Sequence, residues 1–150
     1  MNRNRQGGTT TVEFAIVGAV ALGLIFTVIE FGRILFTINV LDEGARRAAR
    51  VAAVCAVGDP KIAQAATFVS LPGISTSNVV TEYLNGNGGV LGDPAGADRS
   101  AIRFVRVRLV GYSFPVALPF IATTFSAPEI SANFPAESLG IPYSGAAPAC

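Results

Sequence analysis

The residues that could do chemistry near the N-terminus are few and closely spaced. Gly8 closes a polar leader that carries Arg3 and Arg5 and no acid, and Glu13 follows five residues later at the mouth of an apolar stretch. Glycine permits close backbone approach by an enzyme. A carboxylate at the edge of lipid is costly and needs a partner. Were the chain cut between Gly8 and Thr9, the new amine of Thr9 would carry a positive charge. Glu13 of a neighbouring subunit could pair with it and hold two helices in register. If that cut is made, the chemistry at this junction is processing done to the chain, with Gly8 and Thr9 flanking the cut and Glu13 and Phe14 setting subunit register.

Chemistry performed by the chain itself finds little support. Histidine is absent, which removes Ser-His-Asp and Cys-His catalysis and His-based metal sites. Asp93, Asp98 and Glu129 would have to gather in one pocket to form an acid site, and nothing in their spacing requires it. Gly86-Asn87-Gly88-Gly89 lacks a lysine and a following helix, so it reads as a turn-rich loop and not a phosphate cradle. Cys55 and Cys150 are too few and too far apart for a zinc motif. Both would lie outside the cytoplasm, where disulfides persist, and the even count leaves room for one bridge tying the tail to the stalk. Sequence alone does not bring their Cα atoms within the roughly 7 Å that a bridge needs. With a net charge of +1, no lysine run and scattered arginines, the footprint of a nucleic-acid binder is missing. The expectation is a chain that is no enzyme and uses no cofactor or metal.

The elements that position the junction are those of a membrane protein. The chain has 150 residues, enough for one domain, and is 51% hydrophobic and 14% charged. Residues 14–29 hold no charge, which makes a helix of roughly 24 Å against a hydrocarbon core of about 30 Å. Adding residues 9–12, with Glu30 near the far interface, closes most of that gap. A cleaved secretory signal would need a small-residue site soon after the apolar run, but Glu30-Phe31-Gly32-Arg33 follows instead. A buried core helix would need more cover than so small a chain provides. The span is therefore expected to stay in the bilayer, with Arg3 and Arg5 placing the N-terminus in the cytoplasm and the rest outside. Thr11, Ala15, Ala19, Gly23 and Thr27 recur every fourth residue and form a ridge that allows close helix packing in lipid. Glu30 and Arg33 are i,i+3 neighbours. They read either as a self-neutralising interfacial pair or as a contact to another subunit.

Beyond the membrane the helix continues. Asp42–Arg46 and Glu43–Arg47 are i,i+4 pairs in the better orientation. Ala45, Ala48, Ala49, Ala52 and Ala53 are strong helix formers, and Gly58-Asp59-Pro60 is a stop signal. This divides the chain into a leader over residues 1–8, a transmembrane and stalk helix over 9–57, and an extracytoplasmic α+β head over 58–150. Arg46, Arg47 and Arg50 read as a solvated face. A short helix is expected over 60–69 behind the Asp59 cap. Strands are expected over 78–84 and 102–112, and a weaker one over 128–134. Residues 85–98 hold five glycines and read as a loop. In the second strand Val105, Val107 and Leu109 point one way and Arg106 and Arg108 the other. Pro115 and Pro119 are expected to end it. The apolar run from Phe114 to Ile121 reads as a loop that packs under the sheet or offers a docking patch. The tail after Pro135 is expected to be irregular. The fold class is α+β: a long N-terminal helix with a small antiparallel sheet on its outer part.

The ordered elements resemble the TadE-like pseudopilins of the tight-adherence (Tad) pilus system. Their pattern is an arginine-rich leader, a glycine, then a Glu-Phe or Glu-Tyr pair before the apolar helix, matched here by Gly8 and Glu13-Phe14. An Ile-Glu-Phe-Gly-Arg element at the helix's far end is matched by Ile29-Glu30-Phe31-Gly32-Arg33. An Ala/Arg-rich helix follows, here Gly44-Ala45-Arg46-Arg47-Ala48-Ala49-Arg50-Val51-Ala52. The resemblance is dense over residues 7–54 and loose beyond. It implies a pilin-like fold, cleavage after Gly8 by a prepilin peptidase, methylation of the Thr9 amine, and a role as a minor component in pilus assembly. The implied partners are that peptidase, other pilins or pseudopilins, the Tad inner-membrane platform and the lipid bilayer. The implied place is the inner membrane, with incorporation in the pilus left open. The rival reading is a single-pass envelope scaffold that is never processed.

Overall fold

The computed structural model describes residues 7–67, 71–118, 121–141 and 150. Helix α1 spans Gly7–Val54, 48 residues, and is therefore about 72 Å long. No proline interrupts it, and its outer half is rich in alanine, the best helix former. It begins two residues earlier than the Thr9 boundary, so the Gly8–Thr9 bond is itself helical. It also stops at Val54 rather than at residue 57. The reason lies at the far end of the chain. The Glu137 and Leu139 amides both donate to the Ala53 carbonyl, and the Gly140 amide and the Ser138 hydroxyl donate to that of Val54. These bonds occupy carbonyls that a helix end leaves without partners. The segment after Pro135 is irregular in the described residues, but it caps α1. Gly140 has φ 74°, and an added Cβ there would meet the Ala56 backbone at 2.9 Å.

After a turn, Asp59 caps helix α2 (Pro60–Ala66), its Oδ1 accepting from the Lys61 amide at 2.8 Å. Proline at the first helical position lacks a donor that would be unpaired there anyway. The helix ends at Ala66 with Thr67 as its C-cap; residues 68 and 69 of the expected 60–69 helix lie outside the described residues.

Strands β1 (Val79–Leu84), β2 (Phe104–Leu109) and, last in the chain, β5 (Ile130–Pro135) form an antiparallel sheet in the order β1-β2-β5. Val107 sits opposite both Thr81 and Ala132. Between β2 and β5 the chain makes a second, two-stranded sheet, β3 (Ser113–Leu118) and β4 (Ile121–Ser126), paired from Ser113↔Ser126 to Leu118↔Ile121. This hairpin corrects two expectations. The apolar run from Phe114 is strand and not loop, and Pro115 lies inside β3 instead of ending β2. Gly111, with φ 66°, turns the chain between β2 and β3, a conformation that suits glycine. Proline is tolerated because β3 is an edge strand, where a missing N–H can face away from its partner. Pro119 lies outside the described residues.

The three-stranded sheet lies on the outer half of α1. Ala45, Ala48, Ala49 and Ala52 are fully buried there, with Leu41 at 2% exposure. Small side chains on the helix let the sheet approach closely. Val105 and Val107 fill the contact from β2, both at 0% exposure. Arg106 and Arg108 point to the other face, as the alternation requires.

Gly44 marks the crossing of α1 and α2, because a Cβ there would sit 2.6 Å from the Ala66 carbonyl oxygen. Replacing a mid-helix glycine by alanine ordinarily gains about 1 kcal/mol of helix propensity. Here the gain is outweighed by overpacking, typically about 1–3 kcal/mol. Gly44→Ala is expected to lower stability, read as a lower urea midpoint of the full chain in detergent micelles.

Candidate functional site

The first feature is what covers α1. None of its most apolar 18-residue stretch is buried. Val12, Phe14, Leu24, Phe26, Val28 and Ile29 are each more than half exposed. This helix is long and apolar enough to cross a membrane, and such a surface is not left bare in water. Its backbone satisfies itself, the requirement for a segment in lipid.

Along that bare half lie the junction residues. Gly8, Thr9, Glu13 and Phe14 are exposed, and a Cβ added at Gly8 would meet nothing. Among the described residues no ion pair reaches Glu13. The leader residues 1–6, including Arg3 and Arg5, lie outside the described residues. On the ridge, Ala15 and Ala19 are exposed and Gly23 has open space where a side chain would be. The Thr27 hydroxyl turns back to the Gly23 carbonyl at 2.8 Å.

Glu30 and Arg33 mark the end of the bare half. Glu30 is 8% exposed, and Arg33 donates to both of its carboxylate oxygens. Both residues also bind the edge of β3. The Ala117 amide donates to Glu30 Oε1 at 3.1 Å, and Arg33 Nη2 donates to the Pro115 carbonyl. An unpaired strand edge is a row of donors and acceptors that proteins must cover. Here a carboxylate takes the donor and a guanidinium takes the acceptor. Neither sequence reading of this pair foresaw the role, since its target lies more than 80 residues away and was read as loop.

The cysteines meet at the outer end of α1. Cys55 and Cys150 form a disulfide with a Cα–Cα distance of 5.7 Å across 95 residues of sequence. Closing so long a loop restrains the unfolded chain by roughly 4–5 kcal/mol in the chain-entropy account. Asp59 lies within 4.8 Å of both sulfurs, but sulfurs bonded to each other offer no thiolate to a metal.

The acids that an anchored enzyme would need are held elsewhere. Asp93 accepts from the Gly96 and Ala97 amides, and Asp98 accepts from the Asp93 amide, within one loop. Glu129 takes Arg108 through both oxygens, while Glu82 holds Arg108 at 2.6 Å and Arg106 at 3.4 Å. This is an ion-pair ladder across the outer face of the sheet. A cavity of about 250 Å³ beside it is lined by Leu84, Gly88, Phe104, Arg106 and Asn133. It holds one cation and no acid.

A family model described as TadE-like protein matches residues 8–50. The match starts at the junction glycine, takes in Glu13, the ridge and the Glu30–Arg33 pair, and stops before Cys55. It confirms the resemblance over that stretch. No curated protein and no solved structure matches the chain.

Two outcomes follow. Removing the carboxylate in Glu30→Ala should free the Ala117 amide, raising its hydrogen-exchange rate on the order of tenfold while the β2 amides stay protected. The bidentate Arg108 contact holds the Glu129 carboxyl below its ordinary range. That contribution is full above the ordinary range and is lost as pH falls through the lowered value. Glu129→Gln should therefore melt below the parent chain at neutral pH, with the gap closing in acid.

Proposed function

We propose that the protein is a minor TadE-like pseudopilin, cut after Gly8 by a prepilin peptidase and needed to assemble a Tad-type adhesive pilus. The observation that carries this reading is the family match beginning at Gly8, on a helix whose inner half the described residues leave uncovered. The function is physical and not catalytic. Peptidase cleavage would release a leader bearing Arg3 and Arg5 and leave Thr9 as the new N-terminus. The helix would wait in the inner membrane, N-terminus inward and head outward, until assembly extracts or docks it.

Glu13 fits the role of register residue. It sits one helical turn inside the new terminus, at the lipid edge, where an unpaired carboxylate is costly. The Thr9 amine of an adjacent pilin or pseudopilin would offset that cost. Ala15, Ala19 and Gly23 would let the adjacent helix approach closely. The membrane platform of the Tad system would act on the same helix, and the bilayer would hold it meanwhile.

Mass spectrometry of the native N-terminus tests the first step. A chain beginning at Thr9, with or without a methyl group, is the expected result. A chain beginning at Met1 favours the unprocessed envelope scaffold. Gly8→Val should block the cut. Glu13→Ala should be cut but leave cells without pili. Unchanged surface appendages in both mutants would overturn the reading.

A further inference from the structure

We infer that the β3–β4 hairpin is a second membrane contact, its Leu118↔Ile121 rung lying at the outer lipid interface beside α1. The inference rests on the reading of α1 as the span.

Direction along the helix comes first. Pro115 is bound by Arg33 and Ala117 by Glu30. Moving along β3 from residue 115 to 117 therefore descends α1 from residue 33 to 30, toward the bare half. The last rung, Leu118↔Ile121, lies one strand residue further, about 3.3 Å. That places it beyond Glu30, where the charge-free run of residues 14–29 begins.

Composition agrees with that position. From Ser113 to Ser126 the hairpin contains no charged residue. The three-stranded sheet, lying further out along α1, carries Glu82, Arg106, Arg108 and Glu129 on its open face. An uncharged hairpin suits the headgroup and acyl boundary, as interfacial elements do.

Backbone chemistry supplies the third argument. An open strand edge needs partners for its donors and acceptors, and the edge of β3 beside α1 has them from the protein. On β3 the Ala117 donor and the Pro115 acceptor are bound by Glu30 and Arg33, and Pro115 itself brings no N–H. Arg33 keeps 46% of its side chain exposed, which leaves the guanidinium in reach of lipid phosphate while it holds the strand.

Tryptophan tests this cleanly because the chain has none. Single variants of the full chain are reconstituted in vesicles of phosphatidylethanolamine and phosphatidylglycerol with brominated acyl chains. Ala117→Trp and Thr123→Trp report the hairpin at exposed positions, so a folding failure in one leaves the other. Leu22→Trp reports the span and Phe104→Trp the distant face of the head. The expected result is loss of emission, relative to unbrominated vesicles, for Leu22→Trp and both hairpin variants, and none for Phe104→Trp. Quenching of Leu22→Trp alone would overturn the hairpin contact and leave the span intact. If no variant is quenched, the span reading fails and the hairpin contact fails with it.

Discussion

The structure turns on one helix having to satisfy two surroundings without a break. Over its inner half α1 presents bulky apolar side chains on all but its small-residue face, and the other described residues leave them uncovered. Over its outer half the same helix presents alanine on one face, at 0% exposure under the sheet. No break or proline separates the two regimes, because the backbone hydrogen bonds of an α-helix serve equally in lipid and in a protein core. The head is shaped by the second regime. α2 crosses at Gly44, β2 and β5 lie over the alanine face, and the tail closes the end. At the change of regime stands the Glu30–Arg33 pair, where isolated charges would be expensive. Each charge faces the other and a backbone group of β3, so neither is left uncompensated.

This arrangement gives the matched segment and the unmatched head different tasks. Residues 8–50 carry the family pattern, and their exposed surface belongs to the helix alone. The head beyond supplies the cover for residues 41–53 and the ion-pair ladder on its open face. The two parts are joined at Glu30–Arg33, where family-patterned residues grip a strand that lies outside the match.

Much of this was legible in the sequence, for reasons that differ by element. The long helix was readable because hydrophobicity, alanine content and the lack of proline all agree. β2 was readable because Val105, Val107 and Leu109 alternate with arginines. The hairpin β3–β4 was missed because Phe114-Pro115-Val116-Ala117 shows no polar alternation and contains a proline, which normally argues against a strand. An edge position makes that proline harmless, and edge position is a tertiary property. The capping of α1 by Glu137–Gly140 was equally hidden, since the signal is a set of backbone donors in a segment with no period. The Glu30–Arg33 pair was visible as a pair, but its strand target was not, because the target had been read as loop. The cysteine pairing hung on a distance that no spacing encodes.

The disulfide at the outer end of α1 also has a mechanical meaning. Cys55 follows the helix by one residue, and its bond to Cys150 closes nearly the whole head into a covalent ring. A pull along the helix axis, of the kind that draws a subunit out of a bilayer, therefore meets the ring at a single knot. Tension entering through α1 cannot peel the strands away one after another, because Cys150, beyond the last strand, is fastened to the point where the load arrives. The head would travel as one closed parcel.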